Sequence, residues 1–169
     1  GGLTWAPLVA TDNGSVESFT ESWQGCWRIA TNPAVAEDEV YAAVYGTIYK
    51  STNGGTSWTV ALNSPTSYAT DVAVASTGTV YATISSDGVA GGFWRYQNGV
   101  PWTKINPDTS AGFPANFDRF VIGINPNNEN EVYFLGSTPG SGHFNEYLNS
   151  IDWTSLWKYT YVSGDGSGA

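Results

Sequence analysis

The chain has 169 residues, 41% of them hydrophobic, and 15 acidic against 6 basic side chains give a formal charge of −9. No cluster of Lys or Arg is present to neutralise phosphates, which excludes nucleic acid as a partner, and no apolar run is long enough to enter a membrane as a helix.

At this length one packed domain is expected, with a core of unusual aromatic content: 8 Trp, 10 Tyr and 7 Phe. Together with 20 Gly and 8 Pro, and with no stretch of helical periodicity, they predict an all-β chain of short strands joined by tight turns. The chain lacks Met, so a processed form or a fragment is expected. Cys26 is the single cysteine; no internal disulfide is possible, and it is expected as a small buried hydrophobe between Gly25 and Trp27. His143 is the single histidine and sits in a glycine-rich loop, where a surface or packing role is expected. Neither a metal site nor a cofactor is predicted.

In chain order, the first signal is Gly1-Gly2-Leu3-Thr4-Trp5, which matches Gly54-Gly55-Thr56-Ser57-Trp58 further on. Trp27-Arg28-Ile29-Ala30 reads as a strand; an Asn32-Pro33 connection then leads to Val40-Tyr41-Ala42-Ala43-Val44. The apolar run to Tyr49 is followed by Ser51-Thr52-Asn53-Gly54-Gly55-Thr56-Ser57-Trp58 and the strand-like Thr59-Val60-Ala61-Leu62. That is a hairpin whose register is set by Asn-Gly-Gly, with Asn53 bonding amides across the turn and Trp58 lying back over it. A second unit runs through Asp71-Val72-Ala73-Val74-Ala75, Val80-Tyr81-Ala82-Thr83-Ile84, Trp94-Arg95-Tyr96 and Trp102. A third runs through Arg119-Phe120-Val121-Ile122-Gly123-Ile124, an Asn125-Pro126 connection, Val132-Tyr133-Phe134-Leu135 and Trp157-Lys158-Tyr159. Between the last two lies an insertion over about 137–154 that is expected to leave the sheet as a long loop. Ser163 to Ala169 reads as a turn whose closing strand is missing, and its Asp165-Gly166-Ser167-Gly168 resembles a cation-binding loop only loosely.

Four short antiparallel strands recurring about every 40 to 50 residues are the signature of a propeller blade. The predicted organisation is the end of a preceding blade over 1–20, blades over 21–65 and 66–110, and a blade over 111–169 with an incomplete outer strand. Three blades cannot close a ring, and an isolated arc leaves two blade faces bare, so the expectation is a segment of a larger propeller.

The Ser51–Trp58 turn resembles the Asp-box, or BNR repeat, Ser-x-Asp-x-Gly-x-Thr-Trp, with Asn53 in place of the Asp and Ser57 in place of the Thr. With the Asn-Pro connections and the Val-Tyr and Trp-Lys/Arg strands, the likeness covers nearly the whole chain. It is to the Asp-box propellers: sialidases, xyloglucan-cleaving endoglucanases, sortilin-type receptor domains and secreted bacterial surface proteins. The resemblance implies a secreted or cell-surface protein, and makes Ser51, Asn53, Gly55, Ser57 and Trp58 a structural fastener on the outer part of a blade. An Asn carbonyl oxygen accepts amide bonds as a carboxylate does, so a neutral version of the same turn is expected.

Function is then to be sought on the entries to the innermost strands: Trp23 to Arg28, Ser67 to Asp71 and Ala115 to Arg119. Asp71 and Asp118 open equivalent strands and are the candidate acid/base pair of a glycosidase; the alternative for each is a turn cap or a partner for a neighbour such as Arg119. A sialidase needs three converging arginines; Arg28 and Arg119 can face the channel, while Arg95 shares the position of Lys50 and Lys158 and reads as structural. Trp23, Trp27 and Trp153 are candidates for stacking on sugar rings, with Arg28 and Arg119 beside them, whereas Trp5, Trp58, Trp94, Trp102 and Trp157 recur with the blade and are expected in the core. The favoured expectation is a non-catalytic binding or scaffold segment that recognises a polysaccharide or a protein and joins the remaining blades or a larger assembly. The alternative is a fragment of a xyloglucanase-like glycoside hydrolase.

Overall fold

The computed structural model describes residues 4–12, 23, 25–36 and 38–167. They are all-β, in three blade-like antiparallel sheets and one small hairpin. The first sheet holds β1 (Cys26–Thr31), β2 (Val40–Val44), β3 (Thr47–Ser51) and β4 (Thr59–Asn63) in that order. The second holds β5 (Thr70–Val74), β6 (Val80–Ile84), β7 (Gly92–Gln97) and β8 (Val100–Lys104). In the third, β9 (Phe120–Ile124) and β10 (Glu131–Ser137) are followed by the hairpin β11 (Phe144–Asn145) and β12 (Ser150–Ile151), after which β13 (Thr154–Thr160) returns to pair with β10.

Each sheet is a meander, and in the first two sheets one hairpin is as tight as it can be. Val44 pairs with Thr47 and Gln97 with Val100, leaving two-residue turns, Tyr45-Gly46 and Asn98-Gly99. Such turns suit the strand twist only with left-handed residues, and Gly46 and Gly99 take φ of 59° and 83°. Gly46 is doubly constrained, since a Cβ there would lie 2.7 Å from the carbonyl oxygens of Ser64 and Ser67.

The sheets stack face to face. Tyr41, Ala43 and Ile48 of the first meet Val72, Val80 and Ala82 of the second. On the other face of the second sheet, Ala73, Tyr81 and Phe93 meet Phe120, Ile122, Val132 and Phe134 of the third, with Phe113 and Phe117 added from the intervening connection. The middle strand β6 is therefore buried on both sides, and its run Val-Tyr-Ala-Thr-Ile needs no polar alternation. Phe93 stacks on Phe134 at 4.2 Å and meets Phe120 edge-on at 4.7 Å. Pairs of this kind add about 0.5–1.5 kcal/mol beyond the area they bury. Hydroxyls tie the sheets as well: Thr70 donates to the Val44 carbonyl at 2.6 Å and Thr83 to the Phe120 carbonyl at 2.9 Å. Among the described residues the three sheets form an open stack.

Two expectations of burial are corrected. Cys26 is exposed: the register shifts between Cys26 and Arg28, and Cys26 falls on the solvent side of β1, which has a partner strand on one side only. Trp5 is 95% exposed, because Thr4 to Leu8 belong to no strand and no sheet covers the ring. Trp94, Trp102 and Trp157 are partly buried against the two cores.

Candidate functional site

The first strands of the three sheets, β1, β5 and β9, lie side by side and are each paired along one edge. Their free edges carry backbone groups that need partners, and the side chains that open these strands supply them. Asp71, second in β5, is fully buried. Its Oδ2 accepts from the Ile122 amide at 2.8 Å and from Arg28 Nη1 at 3.3 Å. Arg28 Nη1 also donates to the Ile122 carbonyl at 3.3 Å. Both polar groups of Ile122 on the free edge of β9 are thus met by side chains from the two neighbouring sheets. Asp71 Oδ1 forms a longer ion pair, 3.9 Å, with Arg119 Nη2. Burial pushes the Asp71 carboxyl above its ordinary value of 3.8, against the Ile122 amide and the Arg28 and Arg119 charges, which pull it down.

Above this buried carboxylate the surface is aromatic and cationic. Arg28 and Arg119 keep 43% and 38% of their side chains exposed. The Arg119 guanidinium lies 5.1 Å from the Trp27 ring centre, a cation–π distance. Trp27 donates through Nε1 to the Tyr68 carbonyl at 3.2 Å and meets the Tyr68 ring edge-on at 5.9 Å; Tyr68 in turn meets Tyr45 at 5.9 Å. Tyr68 is 48% exposed. It lies within the Ser67–Asp71 entry, where an aromatic three residues before a candidate carboxylate was the available signal.

Asp71, Arg28, Arg119 and Trp27 are thereby brought together, while the other candidates have other neighbours. Asp118 is exposed, takes a 3.4 Å hydrogen bond from the Ser137 hydroxyl, and pairs its own amide with the Ser137 carbonyl. Trp23 stacks on Tyr49 at 4.7 Å and meets Trp58 edge-on at 5.2 Å, on the outer half of the first sheet. Trp153, 64% exposed, sits in the insertion, its carbonyl accepting from the Thr138 amide. A cavity of about 630 Å³ opens between the outer parts of the second and third sheets, lined by Phe93, Ile105, Phe134, Trp157, Tyr159 and Asp165 among others. Neither Asp71 nor Asp118 lines it.

The Ser51–Trp58 turn is closed from within. Asn53 Oδ1 accepts from the Ser57 amide at 2.9 Å and from the Ser51 hydroxyl at 3.0 Å, and Asn53 Nδ2 donates to Ser57 Oγ at 2.9 Å. Ser51 Oγ accepts from the Gly55 amide at 2.8 Å. Gly55 has a φ of 87° and lies against the Trp58 ring.

A second fastener was not singled out from the sequence. Asn32 donates through Nδ2 to Glu39 Oε1 at 2.7 Å, the Tyr41 hydroxyl donates to the same oxygen at 2.8 Å, and Lys50 pairs with Glu39 Oε2 at 2.7 Å. The third sheet repeats it: Asn125 donates to Glu131 at 3.2 Å and Lys158 pairs with Glu131 at 3.0 Å. The signal was the Glu directly before Val-Tyr in both units, opposite the base that follows the aromatic. Among the described residues no group of His, Cys, Asp and Glu is placed to hold a metal ion. No protein-family model and no curated protein matches this chain.

Proposed function

We propose that this chain is a segment of a secreted or cell-surface Asp-box propeller with a non-catalytic binding or scaffold role, recognising a carbohydrate or protein through the Trp27, Tyr68, Arg28 and Arg119 surface. The observation that carries this reading is the state of Asp71. The Asp71 side chain is fully buried, with Oδ2 bonded to the Ile122 amide and Arg28 and Oδ1 only in a 3.9 Å ion pair with Arg119, so it has no open path to a glycosidic oxygen. What stays accessible beside it is an aromatic face and two half-exposed guanidiniums, groups that stack on sugar rings or pair with acidic and hydroxyl groups.

The test is titration calorimetry of the chain against β-glucan and xyloglucan oligosaccharides and an acidic peptide panel, with Trp27→Ala as the control. Binding weakened at least about tenfold by Trp27→Ala, a change of about 1.4 kcal/mol, with an unchanged melting temperature, supports the reading. Release of reducing sugar from xyloglucan that Asp118→Asn abolishes would instead establish the hydrolase alternative, in which the exposed Asp118 works with a carboxylate outside this chain.

A further inference from the structure

The clamp around Glu39 and Glu131 has a third place in the molecule, and there it is incomplete. The register makes the three sheets comparable: Tyr41 pairs with Lys50, Tyr81 with Arg95 and Tyr133 with Lys158. The residue before each Val-Tyr pair accepts a backbone bond from the residue that opens the connection, Glu39 from Asn32, Thr79 from Ala75 and Glu131 from Asn125. The second sheet thus keeps the tyrosine and the base but lacks both the acid and the amide side chain.

Arg95 is left without a carboxylate although it is only 3% exposed. Its Nη2 donates to Gln97 Oε1 at 2.9 Å, its Nη1 donates to the Asp165 carbonyl at 3.4 Å, and its guanidinium lies 4.0 Å from the Tyr161 ring centre. Its Nε has no partner, and among the described residues no acidic side chain forms an ion pair with it. The Asp165 carboxylate is taken by the Ser167 amide and hydroxyl. A buried cation without a counter-charge is strongly destabilising, so such a group marks a place for an anion. A cavity of about 330 Å³ adjoins it, bounded by Thr79, Tyr81 and Arg95 of the second sheet and by Asn127, Glu129 and Asn130 of the β9–β10 connection.

We propose that this cavity binds a small monocarboxylate, whose oxygens stand against Arg95 as those of Glu39 and Glu131 stand against their lysines. The lining narrows the class. A guanidinium matches a carboxylate as a planar fork, and the hydroxyls of Thr77, Thr79 and Tyr81 with the amides of Asn127 and Asn130 add donors. Glu129 lines the cavity too, its oxygens accepting from the Ser76 and Thr77 amides at 2.7 and 3.3 Å. That fixed negative charge beside Arg95 favours a singly charged anion over a dianion such as phosphate. The cavity shares no residue with the Trp27 surface, and the inference stands without the ligand reading.

Thermal unfolding of the chain at neutral pH, in sodium acetate and in sodium chloride of equal ionic strength, tests it. Acetate at about 100 mM, acting on a site with a dissociation constant of about 1 mM, is expected to raise the melting temperature by about 5–10 °C. Thr79→Glu restores the missing carboxylate within the chain. This variant is expected to melt higher than the unaltered chain in chloride and to gain nothing from acetate. An equal gain in both proteins is a general salt effect and overturns the inference, as does no gain in the unaltered chain. Inorganic phosphate at the same ionic strength is expected to raise the melting temperature less than acetate does; an equal or larger gain overturns the assignment to a monocarboxylate. Should Thr79→Glu lose its far-UV circular dichroism, saturation transfer from the protein to the acetate methyl protons decides. Transfer from the unaltered chain that disappears in Arg95→Gln supports the site, and transfer that is absent, or that persists in the variant, overturns it.

Discussion

Asn53 and Asp71 show how one short side chain fixes a local geometry, and each yields a measurable expectation. Asn53 makes three bonds within its turn. Asn53→Ala removes them and is expected to cost about 1–2 kcal/mol, the range found where a short polar side chain caps backbone amides. Asn53→Asp keeps the acceptor for the Ser57 amide, and the Ser57 hydroxyl can turn to donate, so thermal unfolding is expected to shift by no more than about 0.5 kcal/mol. For Asp71 the sign of the pH effect follows from burial. Its carboxyl holds a proton more tightly folded than unfolded, so its contribution is fully present below 3.8 and is lost as pH rises through the folded value. Asp71→Asn keeps an acceptor for the Ile122 amide and removes that titration. The stability of the unaltered chain relative to this variant is therefore expected to fall as pH rises through that window, read from denaturant midpoints.

At the scale of elements, the recurrent clamp matters more than any single turn. An Asn at the start of the connection, a Glu before the Val-Tyr strand and a Lys on the next strand hold connection, β2 and β3 together, and the same trio holds β10 and β13. Burial pushes the Glu39 carboxyl up, but bonds from Lys50, Asn32 and Tyr41 outweigh it and hold the group below its ordinary 4.5. Its contribution is therefore present above 4.5 and lost as pH falls through the lowered value. Glu39→Ala leaves the amide of Asn32 and the hydroxyl of Tyr41 without their acceptor in a buried place, an expected loss of about 2–3 kcal/mol by chemical denaturation at neutral pH. The same substitution should flatten the acid limb of the stability profile.

Over the whole molecule, the second sheet is the common wall of both cores, so the stack is expected to unfold as one cooperative unit. Phe93 lies in that wall and touches Phe113, Phe117, Phe120 and Phe134. Phe93→Ala is expected to destabilise by about 3–5 kcal/mol and to lower a single transition instead of splitting it in two. A separate early transition confined to the third sheet would show that the sheets fold independently, as repeats with weak interfaces do.

The all-β class and the strands around each Val-Tyr pair were legible in the sequence, because strand period and Asn-Gly turn chemistry are local properties. The turn at Ser51–Trp58 was legible for the same reason: every bond that closes it joins residues within eight positions of sequence. Partnerships between sheets were not. Asp71 reads alone as a carboxylate opening a strand, and only the stacking sets it on the Ile122 amide and beneath Arg28 and Arg119, from strands far away in sequence. Exposure at Trp5 and Cys26 escaped the sequence likewise, since burial depends on whether another sheet arrives to cover a residue. The sequence by itself determined which residues pair into sheets; tertiary structure decided which faces are sealed, because sealing is a relation between sheets and no single strand encodes it.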